Sequence, residues 1–138
     1  MKQENEELLL KDLCGRLPYE VKCDYDGKVH DILGYAHGRI VLCRPFMSNT
    51  ECPLFRESYS NIKPYLFPLS SMTEDIEDEI YKETGLYDII ENDMVHIEVR
   101  ANFLDVCKLF NILNKHHLDY NNLIPKGLAI DATNLNIY

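Results

Sequence analysis

The feature that most constrains the fold is the run over residues 102–115. Eight of the eleven residues from 103 to 113 are apolar, while Asp105, Lys108, Asn111 and Lys115 recur at steps of three, three and four. That period is helical and leaves a single polar strip about 120° wide. The spacing therefore predicts a terminal helix that is mostly buried.

The rest of the chain supplies surfaces for it to pack against. Residues 4–17 read as an amphipathic helix, with Leu9, Leu10, Leu13, Cys14 and Leu17 inside and Glu7, Lys11, Asp12 and Arg16 outside. Pro18 stops it. The period then changes to two. Tyr19, Val21, Cys23 and Tyr25 alternate with polar residues, Asp26-Gly27 is a favoured tight turn, and residues 29–35 lead back. A turn at His37-Gly38 and a strand at 39–43 complete an antiparallel meander, compatible with an SH3-like half-barrel as well as an open sheet. Residues 45–61 read as a loop. Residues 62–69 read as an edge strand, because Pro64 and Pro68 remove two ladder donors. Ser71 with Glu74 fits a capping box, and Thr73 is an alternative cap, for a helix reaching about Thr84. Met72, Ile76 and Ile80 form its inner stripe, and Gly85 is placed to end it. Val95, Ile97 and Val99 alternate as one more strand. The order α-β-β-β-β-α-β-α predicts a single α+β domain over residues 1–138: a mainly antiparallel curved sheet with an N-terminal helix, an acidic middle helix and a buried C-terminal helix. At 138 residues and 46% hydrophobic, such a chain can bury a core without metals or disulfides.

The formal charge of −9 is unevenly spread. Residues 61–93 carry two basic and nine acidic side chains and so supply −7 of it. An acidic surface repels phosphate backbones, which disfavours nucleic acid as a partner and favours a basic protein. The five cysteines, Cys14, Cys23, Cys43, Cys52 and Cys107, contain no CxxC pair and read as reduced thiols, with Cys14 and Cys107 as small core residues. No secretory leader opens the chain and no window approaches a membrane span, so the expected address is the cytoplasm, with no membrane partner.

Three ordered blocks carry a family resemblance: residues 10–19 (Leu10-Lys11-Asp12-Leu13-Cys14-Gly15-Arg16-Leu17-Pro18-Tyr19); Ile62-Lys63-Pro64-Tyr65-Leu66 with Leu69-Ser70-Ser71-Met72-Thr73; and residues 113–120 with Leu123-Ile124 and Lys126-Gly127-Leu128-Ala129. Together they resemble a family of small uncharacterised proteins of gut Bacteroides-type bacteria and their prophage-like elements. The resemblance implies a bacterial or phage intracellular setting and brings no catalytic residue, cofactor or partner. The stretch around residues 48–57 is less typical of that family.

Among candidate sites, His116-His117-x-Asp119 has metal-ligand chemistry, but adjacent helical side chains diverge by about 100°, and the competing reading is a helix C-terminus capped by its histidines. Cys107 or Cys43 with a histidine could act as a nucleophile, yet Cys107 is expected among apolar neighbours. No pattern in the sequence calls for a cofactor or metal. Between Glu74 and Asp93 nine carboxylates face a single Lys82, so a negative surface is expected whatever the fold. Glu74, Asp75, Glu77, Asp78 and Glu79 are the candidate partner-binding residues. Tyr65 and Phe67 are added from the aromatic set Tyr59, Tyr65, Phe67 and Tyr87, which could instead close the core. The expected function is non-catalytic protein interaction, as an accessory or regulatory factor of a mobile element. One alternative is inhibition of a DNA- or RNA-binding host protein by charge mimicry. The other is an enzyme or small-ligand domain whose site, a pocket lined by His96, His116 or His117 with a buried carboxylate, forms only in three dimensions.

Overall fold

Leu9, Asp12, Leu13 and Arg16 stand at i, i+3, i+4 and i+7, and that spacing is the buried stripe of α1 (Gln3–Arg16). The computed structural model describes residues 3–36, 38–43, 55–57, 61–97 and 101–138. The amphipathic pattern predicts Asp12 and Arg16 outside and Cys14 inside; the structure does the opposite, with Asp12 1% and Arg16 0% exposed and Cys14 in the open. The reason is the four-residue spacing. It lets the Arg16 fork close on the Asp12 carboxylate, Nε to Oδ2 at 2.6 Å and Nη2 to Oδ1 at 3.0 Å, so the two charges enter the interior as a neutral unit.

After a 3-10 turn at Leu17–Tyr19, β1 (Lys22–Tyr25) and β2 (Lys28–Ala36) form the expected hairpin. Asp26 and Gly27 both take positive φ, 53° and 73°, as the primed turn that matches strand twist requires. The strand β3 (Arg39–Cys43) follows, paired antiparallel to β2 with a register shift between Ile32 and Gly34. Leu33, within that shift, is 55% exposed. His37 lies outside the described residues. The stretch read as a loop contains β4 (Phe55–Glu57), which adds to β3; the remainder of residues 44–60 lies outside the described residues.

The strand β5 (Lys63–Pro68) is central rather than an edge. It pairs antiparallel with β1 and parallel with two short strands, β8 (Leu118–Asp119) and β9 (Ile130–Asp131), giving the order β4-β3-β2-β1-β5-β8 with β9 also on β5. Pro64 and Pro68 are tolerated there because each of these ladders is only two pairs long and so asks few donors of the strand. The sheet is accordingly mixed.

Thr73, not Ser71, caps α2 (Glu74–Thr84): its hydroxyl accepts from the Ile76 amide at 3.4 Å, and Ser71 belongs to a preceding 3-10 turn. Gly85 ends the helix at φ 73°, as its placement predicts. The predicted strand at residues 95–99 shrinks to a small separate hairpin, β6 (Ile90–Glu91) and β7 (Met94–Val95). Ile97 lies beyond it, and Val99 is outside the described residues. In α3 (Phe103–Lys115) the buried residues are Leu109, Ile112, Leu113 and Asn114. The expectation of a mostly buried helix holds for its second half only: Phe103 is 80% and Leu104 68% exposed, and Cys107 is open as well.

Two apolar clusters result. One joins α1, the β1–β3 meander and residues 123–129; the other joins α2, α3, Leu69, Ile89 and Leu118. Between them runs a polar network centred on Arg16. Its Nη2 also donates to the Leu118 carbonyl at 2.7 Å, Asn121 donates to Asp12 at 2.9 Å, and the guanidinium lies 5.0 Å from the Tyr120 ring centroid. Tyr120 in turn donates to Asn114 on α3 at 2.7 Å. Removing one partner of a buried ion pair strands the other charge, at a cost of about 3–5 kcal/mol, whereas replacing both by apolar groups is far milder. Asp12→Leu or Arg16→Met alone should each lower unfolding free energy in urea by that amount, and the double variant by clearly less. Additive losses would show that the two charges are not coupled.

Candidate functional site

The helix α2 places its acids by helical geometry alone. With Ile80 buried and Ile76 half-buried, the helical period turns Glu74, Asp75 and Asp78 to the opposite side and Glu77 to its flank, while Glu83, seven residues after Ile76, lies on the side toward α3; all five are exposed. Glu74, Asp75 and Glu77 sit in the first turn, where the positive end of the helix dipole favours carboxylates. Glu79 is different. It is half-buried between α2 and α3, with Oε1 2.6 Å from Lys115 Nζ and Oε2 2.6 Å from His116 Nε2. Those hydrogen bonds, from Lys115 first and His116 second, hold its carboxyl below the usual range. Of the five acids expected to meet a partner, four are open and Glu79 is already engaged.

Tyr65 and Phe67 do not join that face. Tyr65 is 7% exposed, and Phe67 packs half-buried against the second apolar cluster. Burial raises the Tyr65 phenol above its ordinary value, as does Asp24, which is near it in charge and by hydrogen bond. The exposed aromatics beside the acids are Tyr81 and Tyr87, 59% and 67% exposed, their rings in an edge contact with centroids 6.4 Å apart. They border a cavity of about 280 Å³ between α2 and residues 86–90, floored by Ile80, Leu86 and Ile89 and rimmed by Glu77, Asp78 and Asp88. Tyr87 is named by the sequence as a flanking aromatic. Tyr81 is not, although an aromatic four residues after Glu77 on the wet side of an amphipathic helix is a readable signal. Tyr59 lies outside the described residues.

The His116-His117-x-Asp119 set disperses. His116 goes to Glu79, and Asp119 is 4% exposed and accepts from the Leu123 and Ile124 amides at 2.9 and 2.8 Å. His117 turns away in the left-handed region at φ 59° and stacks on Tyr138, centroids 3.7 Å apart. Among the described residues no group of three such side chains could hold a metal. Nor do the histidine rings cap the helix as expected: the backbone amides of His116 and His117 do so, on Ile112 and Asn114. His96 borders a second cavity with Asp88, but that carboxylate is exposed, not buried.

Tyr138 completes the sheet in an unusual way. The β1–β5 ladder pairs Cys23 with Pro64, so Lys22 would next face Tyr65. Instead the Tyr138 hydroxyl stands between them, accepting from the Lys22 amide at 3.0 Å and donating to the Tyr65 carbonyl at 2.8 Å. Burial of that end pushes the phenol above its ordinary value, although the whole residue is 41% exposed. The same packing pushes His117 down to about 4, through burial first and the Arg16 charge second.

Among the thiols, Cys23 is pushed up to about 12 by burial and then by the charges of Asp24 and Asp31, so it stays protonated and inert near neutral pH. Cys14 and Cys107 are free and exposed, correcting their placement in the core. Cys43 is disulfide-bonded, correcting the expectation of five reduced thiols. No helix among the described residues is long and apolar enough to cross a membrane. No family model, no curated protein and no solved structure matches the chain.

Two outcomes are expected. Tyr138→Phe keeps the stack on His117 but unpairs an amide and a carbonyl, and should cost about 1–3 kcal/mol with faster hydrogen exchange at the Lys22 amide; unchanged exchange there would refute the bridging role. For His117 the folded value of about 4 lies below the ordinary 6.5. Its contribution to stability is therefore complete above pH 6.5 and is lost as pH falls toward 4. His117→Asn, a residue suited to positive φ, should flatten the dependence of the urea midpoint on pH between 6.5 and 4.5. Parallel curves for the variant and the parent protein would contradict the assignment.

Proposed function

We propose that the protein is a non-catalytic interaction factor that binds a basic protein through the outer face of α2. The observation that carries this reading is a set of open, unpaired carboxylates, Glu74, Asp75, Glu77 and Asp78, on one rigidly capped helix. Among the described residues, none of the four takes part in an ion pair. Their field attracts cationic surfaces over roughly a Debye length and speeds encounter more than it adds affinity. His116, His117 and Asp119 go to separate partners and the Cys23 thiol is held protonated, so none of these four groups supports the catalytic alternative.

The resemblance of the three sequence blocks supports a bacterial or phage intracellular setting, in which we place this factor as an accessory of a prophage-like element. The free Cys14 and Cys107 fit that reducing address and the Cys43 disulfide counts against it.

The test is capture from bacterial lysate at low salt by the parent protein and by Glu74→Lys/Asp75→Lys/Asp78→Lys. Glu79 is left alone because its reversal would also break contacts with α3. A basic protein retained by the parent, released by salt and lost on charge reversal is the expected result. Identical capture by both proteins would refute the reading. If DNA competes for that same captured protein, the face acts as a mimic of nucleic acid.

A further inference from the structure

We propose that the cavity between α2 and residues 86–90 is the seat for one long cationic side chain, lysine or arginine, of the basic partner. This deepens the preceding proposal and rests on it, but its evidence is the construction of the cavity rather than the charge of the helix.

The space of about 280 Å³ is slightly smaller than a typical drug-sized pocket and suits a single extended side chain. Its floor is aliphatic, made by Ile80, Leu86 and Ile89. Such a floor takes the methylene stem of lysine or arginine, which buries readily while the charged head stays near water. At the mouth stand the Tyr81 and Tyr87 rings, inclined at 60° to each other and both mostly in the open. Exposed aromatics of this size are costly to leave wet, and their faces attract a cation held within about 6 Å. Glu77, Asp78 and Asp88 complete the rim, and no cationic side chain among the described residues pairs with any of them. An apolar ligand would leave these carboxylates desolvated, and an anionic ligand would be repelled. Floor, rings and rim are thus each matched by a different part of one cationic side chain.

The site is also built before any partner arrives. The Thr84 hydroxyl donates to the Ile80 carbonyl at 2.7 Å and accepts from the Leu86 amide at 3.1 Å, while Gly85 donates to Tyr81 at 2.8 Å. These bonds tie the segment bearing Leu86 and Tyr87 to the last turn of α2, so little order has to be imposed on binding.

The probe is a fluorescent octalysine peptide, with its fully acetylated form as the uncharged control, titrated into the full chain at low salt. Octalysine should bind, perturb the resonances of Tyr81, Leu86, Tyr87 and Ile89, and weaken as salt rises; the acetylated peptide should not bind. Tyr81→Ala/Tyr87→Ala should weaken octalysine roughly tenfold, and Tyr81→Phe/Tyr87→Phe should restore it, since phenylalanine keeps the ring face. Both tyrosines are exposed, so circular dichroism should show the fold intact in each variant. If the alanine pair binds like the parent while Glu74→Lys/Asp75→Lys does not, the acidic face binds cations without the cavity, and this inference fails alone. Equal binding of the acetylated peptide would also overturn it. No octalysine binding by the parent would overturn both readings.

Discussion

Arg16 and Asp12 hold the two halves of the molecule together through a contact that neither could make singly. An isolated charge in that interior would be prohibitive, yet as a forked pair they sit 0% exposed at the side chain, with the Leu118 carbonyl and Asn121 as further partners. Through Leu118 the pair touches the second apolar cluster, and through α1 it belongs to the first. Such a pair contributes less net stability than a well-packed apolar equivalent. The guanidinium Nε and Nη2 are engaged by Asp12 and the Leu118 carbonyl, while Nη1 is buried without a partner among the described residues.

Around that contact the sheet is assembled from short pieces. The strand β5 is flanked by ladders of two pairs each, which would be weak alone, and side chains from distant positions reinforce it. Tyr138 bridges β1 and β5 with its hydroxyl and stacks on His117, whose own carbonyl accepts from Phe67 on β5. Asp119 fastens the next turn by taking two backbone amides. The chain thus satisfies its backbone polar groups with side chains where regular pairing stops. The histidines and the aspartate with metal-ligand chemistry in the sequence are spent on these structural tasks.

The outer face of α2 stands apart from that architecture. Its inner stripe commits the helix to the second cluster, and the opposite side is left to solvent. Glu79 is the exception, because α3 runs close enough for Lys115 and His116 to claim it. Tyr81 and Tyr87 add apolar surface where a purely solvating face would have none.

Local periodicity made much of the fold legible. The hairpin at Asp26-Gly27, the cap at Gly85, the inner stripe of α2 and the exposure of its acids are all set by residues a few positions apart, whose geometry depends little on the rest of the chain. The fate of long-range partners was not legible. Asp12 and Arg16 look like surface charges until Leu118 and Asn121 arrive; Pro64 and Pro68 look like edge residues until β8 and β9 dock; Phe103 and Leu104 look buried, yet they stand in the open while the fully buried positions of α3 begin at Leu109. The sequence by itself determined the three helices, the β1–β3 meander and the negative face, because these follow from neighbours within a few positions, whereas the short strands β4, β6, β8 and β9 did not. Tertiary structure alone decided which charges go inside and that Tyr138 closes the sheet, because these hydrogen bonds join groups a hundred residues apart.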